Sequence, residues 1–400
     1  MIKLLAIGVV PLALLITAGS QQALAPGQTS AQSAGGAPQA RPAPARAAAA
    51  SCPDARPEWY WRRGEGSASL AIKISGEAQF TDDYSDIESL TAGGSVSLEE
   101  RRGTWSRRYE VKRGRDDNLQ RDYFVNGQPR ALDAEARSWI TETLLGLVRQ
   151  TGMDAPARVP KIMQRGGPGA VLSEISRLRS DHARRRYFNE LFRRGGRDAH
   201  LARRVLRQVA AEVHSDYEKA RVLSAAAAGQ LHKAAWPAFF EAAGTIASDY
   251  ERGRVLAAVL KTDPPGREVL TLALRSAAGL SSDHEKARVL IKAVDVYTDD
   301  PKVRAAYFAA VDTIRSDYQR GRVLSALLRR DDLSHGTKTE LLKSAARIAS
   351  DYEKTRFLLR MIATGDSALR SELLAAAQTI RSDNQRGRVV SALGVGDVRN

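Results

Sequence analysis

Of the 400 residues, one is cysteine, four are methionine, six are histidine, and only 6% are aromatic. A single thiol, Cys52, excludes an intramolecular disulfide and any zinc cluster built on several cysteines. The six histidines (His182, His200, His214, His232, His284 and His335) form no His-Glu-x-x-His pair, because His284-Glu285 is followed by Arg288 where the second imidazole would stand. The chain also lacks a Gly-x-Ser-x-Gly elbow, a Ser-x-x-Lys nucleophile and a Gly-Lys-Ser/Thr phosphate loop. These absences leave no catalytic residue, metal ligand or cofactor-binding residue to nominate.

Long apolar runs are equally scarce. The one such run, Leu4 to Ile16 behind Lys3, is short for a membrane span and reads as a secretory signal peptide over residues 1–20 ending at Ala18-Gly19-Ser20. If uncleaved, it would serve as an anchor. Residues 21–57 are Ala, Pro, Gln, Gly and Ser with almost no large apolar side chains. Such a segment cannot bury enough surface to offset its ordering entropy, so we expect a disordered tether. Export to the periplasm or cell envelope follows as an expectation.

Against this background one phrase stands out, Ser-Asp-aromatic-x-basic-x-Arg-aliphatic. It begins at Ser180, Ser215, Ser248, Ser282, Ser316, Ser350 and Ser382, at steps of 32 to 35 residues. A fixed period of this size marks stacked supersecondary units. With each Ser counted as zero, the hydroxyl is an expected helix N-cap. Position +3 is Glu or Gln in six of the seven copies, completing a capping box, and the Asp at +1 suits the helix dipole. Position +5 is mostly small, +8 is apolar and −2 is aliphatic, which predicts two-helix hairpins whose greasy faces are covered by their neighbours. Position +4 is always basic, spaced for a weak ion pair with the Asp. Position +6 is always Arg, expected to reach a carboxylate or carbonyl of the adjacent unit.

Position +2 carries Tyr217, Tyr250, Tyr318 and Tyr352, replaced by His182, His284 and Asn384 in the other copies. One helical turn on stand Arg221, Arg254, Arg322 and Arg356, so a row of Tyr and Arg is the candidate interaction face, with inter-unit packing as the alternative role.

Before the repeats the periodicity is two, not 3.6. Segments 69–75, 94–99, 105–112 and 122–125 alternate, and Asn126-Gly127 is a hairpin dipeptide, so residues 58–133 should form a small antiparallel sheet with Trp59, Trp61, Trp105 and Tyr109 in its core or rim. Asp82, Asp83 and Asp86 read as a solvated turn or a weak cation site. Asp133 should cap a helix over 134–150, Gly166 to Gly169 should interrupt the chain, and a helix should restart at Ala170. Pro237 to Ala243 reads as a first helix of a hairpin. Pro264-Pro265-Gly266 and Asp331 to Lys338 read as loops.

Two stretches carry a resemblance. Ser75-Gly76-Glu77-Ala78-Gln79-Phe80-Thr81-Asp82-Asp83 with Asp86-Ile87 and Gly93-Gly94-Ser95, and the Ser-Asp-Tyr-Glu-Lys repeats, are similar to the C-terminal envelope region of bacterial beta-lactam-sensor-type membrane zinc peptidases, over roughly residues 67–400. The repeats also resemble HEAT-type hairpins. The zinc motif and the multi-span peptidase domain are missing, as is the penicillin-binding Ser-x-x-Lys, so the resemblance implies an accessory or sensor-like envelope region without peptidase activity.

The expected fold is α+β: a small β domain (58–133), then an α-solenoid of about seven 34-residue hairpins (134–400). The expected function is a non-enzymatic exported scaffold or sensor-like protein that binds a protein or anionic envelope polymer, consistent with a net charge of +15. The alternatives are an enzyme with its site between the β domain and the first repeats, and a nucleic-acid binder, which export disfavours.

Overall fold

The computed structural model describes residues 58–114, 116–229, 231–262 and 265–395. The expected signal peptide, tether and Cys52 lie outside them. No helix among the described residues is long and apolar enough to cross a membrane.

Eight strands come first: β1 (Glu58–Glu65), β2 (Ala68–Ser75), β3 (Ala78–Phe80), β4 (Ile87–Leu90), β5 (Ser95–Arg102), β6 (Trp105–Arg113), β7 (Leu119–Val125) and β8 (Gln128–Arg130). They form an antiparallel sheet in the order β1-β2-β5-β6-β7-β8, and β3 and β4 pair separately as a ribbon. Asn126 and Gly127, at φ 52° and 77°, make the tight β7–β8 turn that needs two residues tolerant of positive φ. Alternation places Ile72, Ile74, Val96, Leu98, Tyr109, Val111 and Tyr123 on one face of the sheet.

That face is covered by α1 (Ala134–Thr151), whose Trp139, Ile140, Leu144, Leu147 and Val148 are buried in the same cluster. Asp133 caps the helix, accepting from Ala136 N at 2.8 Å. We expected the helical domain to begin at residue 134. Helix α1 instead belongs to the β layer, because an amphipathic helix packs on whichever apolar face lies nearest in the chain. Trp59 and Trp61 pack at the rim of this cluster, and Tyr109 is fully buried with its hydroxyl on Asp86.

Asp82 pairs with Lys161 and Arg165, Asp83 accepts from Thr81 and Ser85, and Asp86 takes Tyr109 and Arg121. The three carboxylates thus bind side chains of their own surroundings, and no group of residues able to hold a metal ion occurs among the described residues.

Helix α2 (Ala155–Ile175) is broken at Gly167 (φ 66°, ψ −171°), so the expected interruption is one residue inside a longer helical segment. Its first half locks the sheet layer to the repeats. Tyr84 donates its hydroxyl to Asp154, and the Arg158 guanidinium lies 4.4 Å from the Tyr84 ring centroid. Glu174, buried, accepts from Arg158 at 2.7 Å and from Arg149 at 2.9 Å. Burial pushes the Asp154 carboxyl above its ordinary value.

Seven hairpins follow. Their second helices are α3 (Asp181–Gly195), α5 (Asp216–Ala228), α7 (Asp249–Val259), α9 (Asp283–Ala293), α11 (Asp317–Leu327), α13 (Asp351–Ile362) and α15 (Asp383–Val395). The later half of α2 serves as the first helix of the first hairpin. The other first helices are α4 (Ala199–Glu212), α6 (Trp236–Gly244), α8 (Arg267–Ala278), α10 (Pro301–Asp312), α12 (His335–Ala346) and α14 (Arg370–Gln378). Each second helix packs on the second helix of the next hairpin, and the first helices do the same, giving two parallel rows. One apolar cluster runs through them from Ala155 to Leu393. The −2 aliphatics are buried in all seven copies, and the +8 residues in six; Val390, with no hairpin beyond it among the described residues, is half-exposed. The stretch Asp331 to Lys338, expected to be loop throughout, ends in a helix start. The Ser334 hydroxyl accepts from Thr337 N at 3.3 Å.

The Asp at +1 does more than face a helix dipole. Its carboxylate accepts the backbone N–H at position 0 of the next hairpin and, at every joint but that of Asp317, the one at −1 as well. Asp181 binds His214 N at 2.9 Å and Ser215 N at 2.7 Å, and Asp249 binds Ser281 N at 2.8 Å and Ser282 N at 2.6 Å. Asp283 binds Arg315 N at 2.9 Å and Ser316 N at 2.7 Å. Asp216, Asp317 and Asp351 reach Ser248 N, Ser350 N and Ser382 N at 2.8, 2.7 and 2.8 Å. These N–H groups precede the helix and have no ladder partner, so each rung satisfies donors that would otherwise be orphaned. Asp299 builds a similar rung between first helices, accepting from Ser334 N at 2.6 Å and from the Thr337 hydroxyl at 2.5 Å.

The rungs carry two predictions. Asp283→Ala strands two backbone donors and should lower unfolding free energy by about 1–3 kcal/mol in urea titration, whereas Asp283→Asn, which keeps one acceptor, should lower it less. Burial pushes the Asp299 carboxyl up, but the hydrogen bonds from Thr337, Ser334 and Arg304 outweigh it and hold the group down at about 2. Its folded value lies below its unfolded one of about 3.9, so its contribution is complete above about pH 4 and lost as pH falls toward 2. Wild type should therefore lose more stability than Asp299→Asn between pH 5 and pH 2, as read by urea midpoints.

Candidate functional site: a tyrosine and arginine edge

The N-terminal ends of the second helices are held by their caps. Ser180, Ser215, Ser248, Ser282, Ser316 and Ser350 accept from the N–H three residues on at 3.1 to 3.3 Å, and Ser382 does so at 3.4 Å. At the first repeat the Ser180 hydroxyl also donates to Gln150 O at the end of α1. Gly152 makes this junction possible. It adopts φ 63°, and a Cβ there would lie 2.8 Å from Ala183 Cα.

With the caps fixed, position +2 of every second helix points outward. Tyr217, Tyr250, Tyr318 and Tyr352 are 47, 54, 51 and 59% exposed, and Tyr60 is the only other aromatic ring among the described residues exposed to this degree. The +6 arginines stand against these rings. Tyr217 lies between Arg221 of its own repeat, at 5.5 Å, and Arg254 of the next, at 6.0 Å. Tyr318 lies between Arg322 at 5.8 Å and Arg356 at 5.9 Å, and Arg288 of the next repeat sits 5.2 Å from the Tyr250 ring. Rings and guanidiniums therefore alternate along one edge of the stack.

The +6 arginines were expected to bind carboxylates or carbonyls of the adjacent unit. Arg288 does reach Tyr250 O of the preceding repeat, at 3.5 Å, and Arg186 reaches Met153 O at 3.1 Å. Their main polar partner lies elsewhere, on the same helix at +3. Arg254 pairs with Glu251 at 2.9 Å, Arg288 with Glu285 at 2.5 Å and Arg356 with Glu353 at 2.9 Å. Arg322 meets the uncharged Gln319 amide and Arg221 the Tyr217 hydroxyl, so these two keep their charge uncompensated by a nearby carboxylate among the described contacts.

The small residue at +5 makes room for these pairs. A Cβ at Gly253 would lie 2.9 Å from Glu285 Oε2 and 3.0 Å from an Arg288 nitrogen of the next repeat. Where the first repeat has Arg185 instead, that side chain binds Glu218 directly at 2.5 Å. His182 also lies beside Glu218.

The basic residue at +4 also finds partners that spacing alone does not reveal. It reaches the carbonyl end of a first helix, where the dipole favours a cation. Lys219 Nζ donates to the Thr245 hydroxyl at 2.9 Å, Lys286 to Thr313 O at 3.0 Å and Lys354 to the Thr379 hydroxyl at 2.8 Å, and all three lysines are buried. Burial pushes the Lys219 and Lys354 ammonium groups below their ordinary values. Arg252, Arg320 and Arg386 likewise bind carbonyls at the ends of α8, α10 and α14. The expected ion pair with the +1 Asp forms for Arg184, at 2.8 Å, and for Arg386 with Asp383, and is long for Lys286, 3.8 Å from Asp283.

Near Gly166, where converging carboxylates would have favoured an enzyme, the groove beside Gly169 is lined by Ser173, Arg204, Arg207 and Gln208. Its one carboxylate, Glu212, accepts from Ser176 and Gln208.

Arg288→Ala removes the counter-ion of the largely buried Glu285 and a ring contact between repeats. It should lower stability by about 1 kcal/mol in thermal or urea unfolding, and Arg288→Lys, which keeps the charge, should recover part of that loss. Compared with protein-family models, curated proteins and solved structures, the chain matches none.

Proposed function

We propose that the protein is a non-enzymatic, exported scaffold or sensor-like protein that binds a protein or anionic envelope polymer along its tyrosine and arginine edge. The observation that carries this reading is the repetition of a half-exposed Tyr at one helical position in four hairpins, with arginines beside three of the rings. Neither the rings nor the guanidiniums fill the apolar core. Tyr and Arg are the side chains that concentrate binding energy at interfaces, and a rigid row of them acts multivalently. The net charge of +15 favours an acidic partner and draws it in. The run 4–16 and the resemblance to an envelope-sensor region support the exported location.

The test is binding of poly-glutamate by the wild type and by the variant combining Tyr217→Ser, Tyr250→Ser, Tyr318→Ser and Tyr352→Ser, at several salt concentrations. Because these rings lie outside the core, the variant should stay folded and lose only the modest stability of the ring–guanidinium contacts, yet bind at least about tenfold more weakly. Equal binding by the two proteins would remove the reading. Tighter binding of a single-stranded oligonucleotide, weakened by the same substitutions, would transfer the edge to nucleic acid.

A further inference from the structure

A second surface, unrelated to the edge, lies between the sheet and α1, at the end that Arg179 of the first repeat reaches. A cleft of about 470 Å³ opens there between β1, β2, β5 and β6 on one side and α1 on the other, with Arg179 at the mouth from the turn before α3. This volume suits a small molecule. Its sheet wall is one cross-strand row, Arg63–Leu70–Glu100–Arg107. Trp61, Leu70 and Trp139 supply apolar surface.

Five arginines line the cleft against two carboxylates, Glu100 and Glu142. The arginines fall into two groups. Arg107 and Arg102 both clamp Glu100, at 2.7 Å each, and Arg107 is also stacked 4.5 Å from the Trp139 ring centroid. Against the burial that pushes it up, these hydrogen bonds hold the Glu100 carboxyl below its ordinary value. Arg149 is held by Glu174. Arg63 and Arg179, by contrast, have no ion pair among the described residues, and both are exposed. Glu142 accepts only from Ser138, at 3.3 Å. Two unpaired guanidiniums beside Trp61, against that single unpaired carboxylate, leave a net positive place for an oxyanion.

Gly146 is an independent sign. Glycine in a helix interior is destabilising by roughly 1 kcal/mol relative to alanine. A Cβ built at Gly146 would meet nothing within 4 Å, so no protein neighbour explains its absence. The position faces the cleft. The missing side chain keeps the cavity open.

We propose that this cleft binds a small ligand with an oxyanion head, phosphate or carboxylate, and a flat apolar body. The head lies between Arg63 and Arg179 and the body against Trp61 and Leu70, with Gly146 giving it room.

The full chain would be titrated calorimetrically with phenyl phosphate, benzoate, inorganic phosphate and phenol. Phenyl phosphate or benzoate should bind with Kd below about 1 mM, and the tighter of the two identifies the head group. Inorganic phosphate should bind more weakly and phenol not measurably. Arg63→Ala with Arg179→Ala should weaken binding by on the order of tenfold or more. Gly146→Leu should abolish binding while leaving the thermal transition at or above that of wild type, since leucine is the better helix former. The proposal is overturned if neither probe binds, if the variants bind like wild type, or if inorganic phosphate binds as tightly as phenyl phosphate. Poly-glutamate binding by the same variants should stay unchanged, which separates the cleft from the edge.

Discussion

A carboxylate that accepts two main-chain N–H groups from the next hairpin is the contact on which the stack rests. Hydrophobic burial drives the hairpins together, but burial has no direction and tolerates sliding. The Asp rungs remove that freedom. Each one fixes the position of the next Ser relative to the previous helix, from Asp181 to Ser382. The cap, the outward position +2 and the inward position +8 are then all set by one hydrogen-bonded pair.

The remaining motif positions follow from this spacing. Once two helix starts are locked side by side, the +5 side chain of one meets the +3 and +6 side chains of the next, so it must be small or, as with Arg185, bind the carboxylate itself. The +4 cation then lies within reach of the carbonyl end of a first helix. Three of the seven are lysines buried deeply enough to be costly without those acceptors. Only +2 has no structural partner on the inside, which is why Tyr, His and Asn can all stand there.

Local signals were legible in the sequence. Asp133, Asn126-Gly127 and the repeated serines act within four residues of themselves, and pattern alone finds such motifs. Contacts across hairpins were not legible. The Asp was read as a dipole partner because nothing in one copy shows that the N–H groups of the next cap and of the residue just before it need an acceptor. Its invariance was the available clue. A dipole is served equally by Glu, whereas a two-donor rung needs the short side chain. Helix α1 was assigned to the wrong layer for a related reason, since an amphipathic stripe does not say which apolar surface it covers. The cleft was missed because its arginines come from β1, β5, β6, α1 and the turn before α3.

The rungs read only main-chain atoms, and that has a consequence for how such an array can change. Steps of 32 to 35 residues are all accepted, and the residue just before each serine ranges from His214 to Ala247 to Arg315. Framework and display are written in different atoms of the same turn. The outer character of any hairpin can be rewritten, one module at a time, without renegotiating the joint beneath it.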